Sequence, residues 1–354
     1  MRILDIYIGK IIATTTFLTL AVLVSVSSII KFVEQMKAVG RGSYDLIDAA
    51  LYAFYAMPRD VEIFFPIAAL VGGLIGLGMM ASNSELVVMQ AAGLSKIQII
   101  KSVMKTAAIL IVMSMAVGEW LAPQGEATAR ELRAQAISEG SLISSKSGVW
   151  AKDGKLIVHI SEVADTGTLK NVSLYKFDQN LQMKQWLTAK SASWIEDHWL
   201  MHDIEISEFS EQRINNSLAD SQEWQSSLTP EKLGVVTVKP EALSVQGLIS
   251  YLDYLEENNQ DTSRYELAFW RKLMQPITVA VMLLVALSYI FGPLRSVSMG
   301  ARIMMGIGTG ITYDFANRMF GSISQTFQLP PFIGAVLPSL LFVIVAVYLL
   351  RRKA

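Results

Sequence analysis

The chain has 354 residues, 52% of them hydrophobic and only 17% charged, with 31 acidic against 30 basic side chains and a mean hydropathy of +0.40. That is too apolar for an ordinary soluble domain, and charges that nearly cancel leave no basic surface to argue for nucleic acid. Cysteine is absent, which removes disulfides, cysteine nucleophiles and thiolate metal sites together.

A bilayer core asks for about 20 mostly apolar residues in a helix. The first stretch of that kind, residues 11–30, follows Lys10 and must be tested as a signal peptide. Signal cores are shorter and end at a small-residue cleavage site, whereas this run flows into Lys31, Phe32, Val33 and Glu34. A retained helix is expected. Just beyond it Lys31, Glu34, Gln35, Lys37 and Arg41 fall within an arc of about 120° at 100° per residue. The bland reading is snorkelling at the interface. The functional reading is a cationic stripe facing the anionic group of a lipid-like substrate, which Arg59, Arg130 and Arg133 could join and hold by charge-assisted hydrogen bonds.

Residues 63–81 form the second predicted span. Its Gly72, Gly73, Gly76 and Gly78, with Pro66, permit close helix approach and kinking, and the usual meaning of such spacing is packing. The following segment, near residues 83–93, predicts one short helix. Ser82 or Asn83 can cap it, Glu85 suits its positive N-terminal end, and Gly93 stops it at the position after the cap. So short a helix is marginal alone, so it must pack on something. Exposed Leu86, Val87 and Met89 would suit a partner, and its own membrane domain is the alternative. Residues 107–122 make the third span.

The insert from 123 to 272 carries 15 bases and 22 acids, a net charge of −7. Within about 141–242 the stretches 156–160, 172–177, 185–192 and 199–206 alternate with period two, separated by turn-like segments at Asp165, Asp178 and Glu196. That pattern predicts a small β-sandwich or jelly roll. Helices flank it: Leu248, Tyr251, Leu252 and Leu255 recur at helical spacing after an N-cap at Ser244, and a second helix capped near Asp261 or Ser263 runs into the fourth span.

The last third holds spans at 273–291, with Pro276, and at 332–350, and a shorter glycine-rich one at 303–315. Bases in short loops set orientation. Lys96, Lys101 and Lys105, then Arg295 and Arg302, then Arg351, Arg352 and Lys353 put both termini in the cytoplasm, which requires an even number of spans and therefore the weak one. The fold class expected is a polytopic α-helical membrane protein: spans one to three in 1–122, an insert outside the membrane in 123–272 (the periplasm, in a bacterium) that holds the small β-sandwich or jelly roll, and spans four to six in 273–354.

No phosphate loop, nucleophile elbow or zinc-protease helix occurs, so no catalytic residue is assigned. His198 and His202 are four apart but in an alternating stretch with no third ligand, so no metal is expected. Asp314 in a thin span suggests a proton relay. With Arg318 four residues on, a local ion pair is the simpler expectation.

Residues 29–37, 84–93 (Ser-Glu-Leu-Val-Val-Met-Gln-Ala-Ala-Gly), 118–125, 228–236 and 286–296 together resemble the LptF/LptG family of lipopolysaccharide-export permeases, over essentially the whole chain. The resemblance implies six spans with a periplasmic jelly roll, pairing with a sister permease LptF, a dimer of the ATPase LptB, and delivery of lipopolysaccharide through LptC and LptA. ATP and Mg would be used by that ATPase, and this chain would hold no cofactor. It implies that Glu85 lies on a helix docked into an LptB groove, and that Lys31, Lys37, Arg59, Arg130 and Arg133 match basic positions around the lipid A phosphates. Where family members can carry a second lysine beside Lys37, this chain has Ala38. Two other roles fit the residues less fully: a mechanical relay that moves a periplasmic partner without holding lipid, and a lipid-acting enzyme.

Overall fold

The computed structural model describes residues 2–138, 143–165, 167–178, 180, 182–210, 213–230, 232–233, 239–292 and 297–351. Arg295, Arg352 and Lys353, used above to orient the chain, lie outside them, as do parts of the stretches 228–236 and 286–296.

Ten α-helices and six strands are described: α1 (Arg2–Met36), α2 (Leu46–Tyr55), α3 (Met57–Ser82), α4 (Glu85–Ala91), α5 (Lys96–Ala116), α6 (Ala122–Ser138), β1 (Ile143–Asp153), β2 (Leu156–Asp165), β3 (Thr168–Phe177), β4 (Met183–Ile195), β5 (His198–Phe209), β6 (Ile214–Trp224), α7 (Val245–Glu257), α8 (Ser263–Phe291), α9 (Met299–Thr326) and α10 (Pro331–Arg351). A π-helical turn, Val117–Leu121, joins α5 to α6. The chain divides into two compact units. The first comprises residues 1–33, 53–126 and 263–354; the second comprises 34–52 and 127–262, so residues 34–52 cluster with the insert and not with the spans before it.

Five helical stretches among the described residues, lying wholly or mostly in the first unit, are long and apolar enough to cross a membrane: Ile3–Met36, Met57–Ser82, Lys96–Ile137, Ser263–Phe291 and Pro331–Arg351. The residues expected to form a sixth span lie within α9, which has 28 residues, about 42 Å at the helical rise, and so has the length to cross a bilayer, but it is not one of the five apolar stretches. Sequence signals explain the starts. Ser95 and Gln98 form a reciprocal capping box at α5, and Ser298 caps α9. Pro58 occupies the first turn of α3, where its missing N–H costs nothing.

α3 is the central helix, with the glycines 72, 73, 76 and 78 all buried. A Cβ on Gly72 would stand 2.5 Å from Thr16 Cα, one on Gly76 would be 2.9 Å from Thr15 Oγ1, and one on Gly73 would be 2.9 Å from Leu283. The glycine stripe therefore brings α1 and α8 against α3, and the Thr15 hydroxyl donates to the Gly72 carbonyl at 2.7 Å. Leu70, Leu74, Leu77, Val279, Met282 and Leu283 fill the core around it.

The second unit is built on the sheet. Its strands are antiparallel and lie in chain order, β1 to β6, an up-and-down arrangement. The four alternating stretches expected from the sequence lie in β2 to β5; the alternation is visible because one face buries Val158, Ile160, Val172, Leu174, Leu187, Ala189 and Ile204, paired across the strands. Glu196 and Asp197, with φ of 44° and 67°, turn β4 into β5. Ser244 caps α7 by accepting from the Gly247 N–H. α7 then holds the first hairpin: Tyr254 donates to the Lys152 carbonyl at 2.8 Å, and the Asn258 side chain accepts from the Gly154 N–H at 2.7 Å. Buried Asp153 ties this corner to the sheet's far edge by accepting from Trp224 Nε1 and from Ser227.

Candidate functional site

Lys31 and Arg59, two of the five basic residues singled out, belong to the first unit; Lys37, Arg130 and Arg133 belong to the second. α1 carries Lys31, Glu34 and Gln35 of the expected stripe and ends at Met36; Lys37 follows directly in a turn, its N–H bonded to the Glu34 carbonyl, and Arg41 lies between Gly40 and Gly42, both at positive φ, beyond the helix on which the arc was projected. Lys37 and Arg133 are exposed and Arg130 is half-buried. Arg133 faces Tyr44, whose phenol is pushed up by burial and drawn partly back by that guanidinium. Ala38 is buried at 4%, so the position beside Lys37 points inward and offers no cation.

Lys31 and Arg59 meet carboxylates that the sequence reading passed over. Asp60 and Glu62 sit two residues apart in the first turns of α3, which places them about 200° apart around its axis. Asp60 therefore faces α1, where its Oδ1 pairs with Lys31 Nζ at 2.8 Å. Glu62 faces α8: its Oε1 pairs with Lys272 Nζ at 3.3 Å, while its Oε2 takes Arg59 from the preceding turn at 2.5 Å. Lys272 also donates to the Gly118 carbonyl in the π-turn, and Gln275 donates to the backbone carbonyl of Glu62. Glu119 contributes a further negative charge near Lys272.

The side chains of Asp60 and Glu62 are only 3% and 4% exposed, and Lys31, Arg59 and Lys272 are 26%, 14% and 9% exposed. Charge this deep at the end of a span is expensive, and such residues are usually functional. The missed signal is two acids abutting the apolar run 63–81, with Lys272 abutting the run 273–291.

At the opposite end of α3 lies the short helix expected near 83–93. α4 has seven residues and ends as foreseen: Gly93 at φ 96° and the bonds Gly93 N–H to Gln90 O and Leu94 N–H to Met89 O form a Schellman stop. Its start differs. Ser82 closes α3, and Ser84, in the left-handed region at φ 60°, precedes α4 without a side-chain cap, while Asn83 reaches Glu85 at 3.4 Å.

The expected exposure of Leu86 and Met89 is corrected. Three residues apart, they share the inner side of this two-turn helix and are buried in the chain's own core, whereas Val87 and Val88 are 48% and 65% exposed. Half-buried Glu85 accepts from the Tyr7 hydroxyl at 2.9 Å, which links α4 to the start of α1.

Arg302, used above only as a surface charge, is 2% exposed; its guanidinium donates to the Gly78 carbonyl at 2.7 Å and to Ser82 Oγ at 3.0 Å in the last turn of α3. Asp314 and Arg318 form the local pair at 2.8 Å on an exposed face of α9.

A family model described as "Lipopolysaccharide export system permease LptF/LptG" matches residues 6–352. The chain is 48% identical over 355 residues to the lipopolysaccharide export system permease protein LptG of Escherichia coli strain K12, covering 99% of each. It is 47% identical over 352 residues to the LptG protein of Haemophilus influenzae, covering 99% of this chain and 98% of that one.

Proposed function

Because the chain belongs to the LptF/LptG family of lipopolysaccharide export permeases, we propose that it is a non-catalytic subunit of an ATP-driven ABC-type transporter in the bacterial inner membrane. It extracts lipopolysaccharide from the outer leaflet and passes it to a periplasmic bridge toward the outer membrane. Its partners in this reading are the sister permease LptF, the LptB ATPase dimer, LptC and LptA, with ATP and Mg consumed by LptB. Both termini face the cytoplasm and the β unit faces the periplasm; exposed Lys96, Lys101 and Lys105 after α4 support that orientation.

Lys31, Lys37, Arg59, Arg130 and Arg133 bind the lipid phosphates, with the guanidiniums supplying forked donors and the lysines compact charge. Glu85, Val87 and Gly93 serve docking to the ATPase, with Leu86 and Met89 anchoring α4 to the spans it must move. The observation that carries this coupling is the two-sidedness of α4, whose Leu86 and Met89 are buried while Val87 and Val88 are exposed. Valines without cover on a helix too short to stand alone call for a partner.

The test is to purify the tagged chain gently from membranes, identify what accompanies it, and assay ATP hydrolysis for wild type and Glu85→Arg. An ATPase and a sister permease are expected with the wild type, and loss of the ATPase from the variant. Recovery of the chain alone, without hydrolysis, would remove the energy source and refute the proposal.

A further inference from the structure

An extractor must hold a phosphate and then let it go, and strong cations in a dry site favour only the first. The first unit supplies the missing opposition in Asp60 and Glu62, which already occupy Lys31 and Arg59. We propose that these two acids are exchangeable internal counter-ions: they compete with lipid phosphates for Lys31 and Arg59, and their recapture of the cations drives release. This inference rests on the reading of Lys31 and Arg59 as phosphate binders.

The geometry differs at the two acids in a way that gives each a part. Glu62 is held twice, by Arg59 at 2.5 Å and by Lys272 at 3.3 Å. If Arg59 turns to a phosphate, Lys272 still neutralises Glu62, so no bare charge is left inside and Arg59 exchanges at low cost. Asp60 has no such reserve among the described residues. Its Oδ1 takes Lys31 at 2.8 Å, while its Oδ2 is buried with no hydrogen-bond partner. Departure of Lys31 would strand a carboxylate that is 3% exposed, and a stranded buried charge is strongly unfavourable. That imbalance is the restoring force.

Lys31 is suited to move. Its side chain is the most exposed of the cluster at 26%, its ammonium sits on a flexible stem, and it already lies 3.5 Å from the Ala56 carbonyl beside the pair. A phosphate offers it more acceptor oxygens than the half-used Asp60 and so wins while present. Once the lipid is pushed off, the carboxylate reclaims the ammonium and rebinding is opposed.

The test uses the intact transport complex and measures two quantities: lipopolysaccharide retained per purified complex, and its rate of ATP-driven release in proteoliposomes. Asp60→Asn should raise retention on the order of fivefold, from loss of one partly screened ion pair, and slow release by a similar factor. Glu62→Gln should act in the same direction more weakly, because Lys272 remains. Lys31→Ala should lower retention. If Lys31→Ala lowers retention while Asp60→Asn, in a complex of wild-type abundance and thermal midpoint, leaves it unchanged or lower, the counter-ion role is overturned and the phosphate site stands. Unchanged retention in Lys31→Ala overturns the phosphate site and with it this inference. Should Asp60→Asn fail to assemble, Glu62→Gln decides: a rise supports exchange, and no rise overturns it.

Discussion

Tyr7 and Glu85, 78 residues apart in the chain, meet through a hydrogen bond of 2.9 Å that joins the first turns of α1 to the short helix α4. α1 also carries Lys31 of the buried charge cluster at its other end, so under the proposed coupling this contact would join α4 to that cation. Tyr7→Phe removes only this exposed hydrogen bond and should leave the unit folded. The expected result is a rise in ATP consumed per lipid released, with normal complex levels. Simultaneous measurement of hydrolysis and release in proteoliposomes checks it; an unchanged ratio would show that α1 takes no part in coupling through Tyr7.

Arg302 fixes the other side of the same region. Its guanidinium bonds to Gly78 O and Ser82 Oγ in the last turn of α3, where the helix dipole favours a cation. Arg302→Met keeps bulk but loses both hydrogen bonds of a buried charged donor, a destabilisation of about 2–3 kcal/mol. Gly78→Val should do similar harm, because a Cβ there would stand 2.9 Å from the guanidinium. The two share one interaction, so the double variant should fall well short of the sum. Thermal unfolding in detergent reads all three, and strict additivity would mean the two sites act independently.

Tyr254 predicts an alkaline limit for the β unit. Burial first, and the Asp153 carboxylate second, push its phenol up to about 12. An unfolded tyrosine releases its proton near pH 10, so above that value the unfolded state sheds a proton that the folded state keeps. The stabilisation is whole below pH 10 and is lost as pH rises from 10 toward 12. Unfolding followed by tryptophan fluorescence, for which buried Trp199 and Trp224 are reporters, should show stability declining over that window. Tyr254→Phe should flatten the decline and lower neutral-pH stability by about 1 kcal/mol through loss of the bond to the Lys152 carbonyl. An equal slope in wild type and variant would assign the alkaline loss to other groups.

What the sequence discloses follows from whether a residue's environment is local. The spans are legible because a lipid-facing helix must be apolar along its whole length, and the stop of α4 because Gly93 answers a purely local backbone need. β2 to β5 show through their alternation. β6 does not, since its Asn215, Asn216, Ser217 and Asp220 sit on an exposed polar edge with no buried face to impose a period. β1 is blurred by a bulge between Ser144 and Val149, where Gly148 takes φ 59°. The inward turn of Leu86 and Met89 and the pairing of Asp60 and Glu62 depend on partners from α1, α3 and α8 that no window of sequence displays. Helical angles hold only as far as the helix, so with α1 ending at Met36 the projection covers Lys31, Glu34 and Gln35 but does not extend to Arg41.

The π-turn Val117–Leu121 sets the rotational phase of the first turn of α6, which follows it directly. A turn of this kind accommodates one residue more than a regular helix would, so the column from α5 through α6 behaves like a shaft with a fixed offset cut into it. Deleting a single residue between 117 and 121 would let the helix close into uniform register at no loss of hydrogen bonds, yet it would turn α6 by about 100° relative to α5. The Gly118 carbonyl, which now receives the Lys272 ammonium, would be carried round with the turn. The irregular turn thus works as a bracket that holds one backbone acceptor against the charge cluster beside Glu62, and a chain can lose that acceptor while keeping every charged member of the cluster.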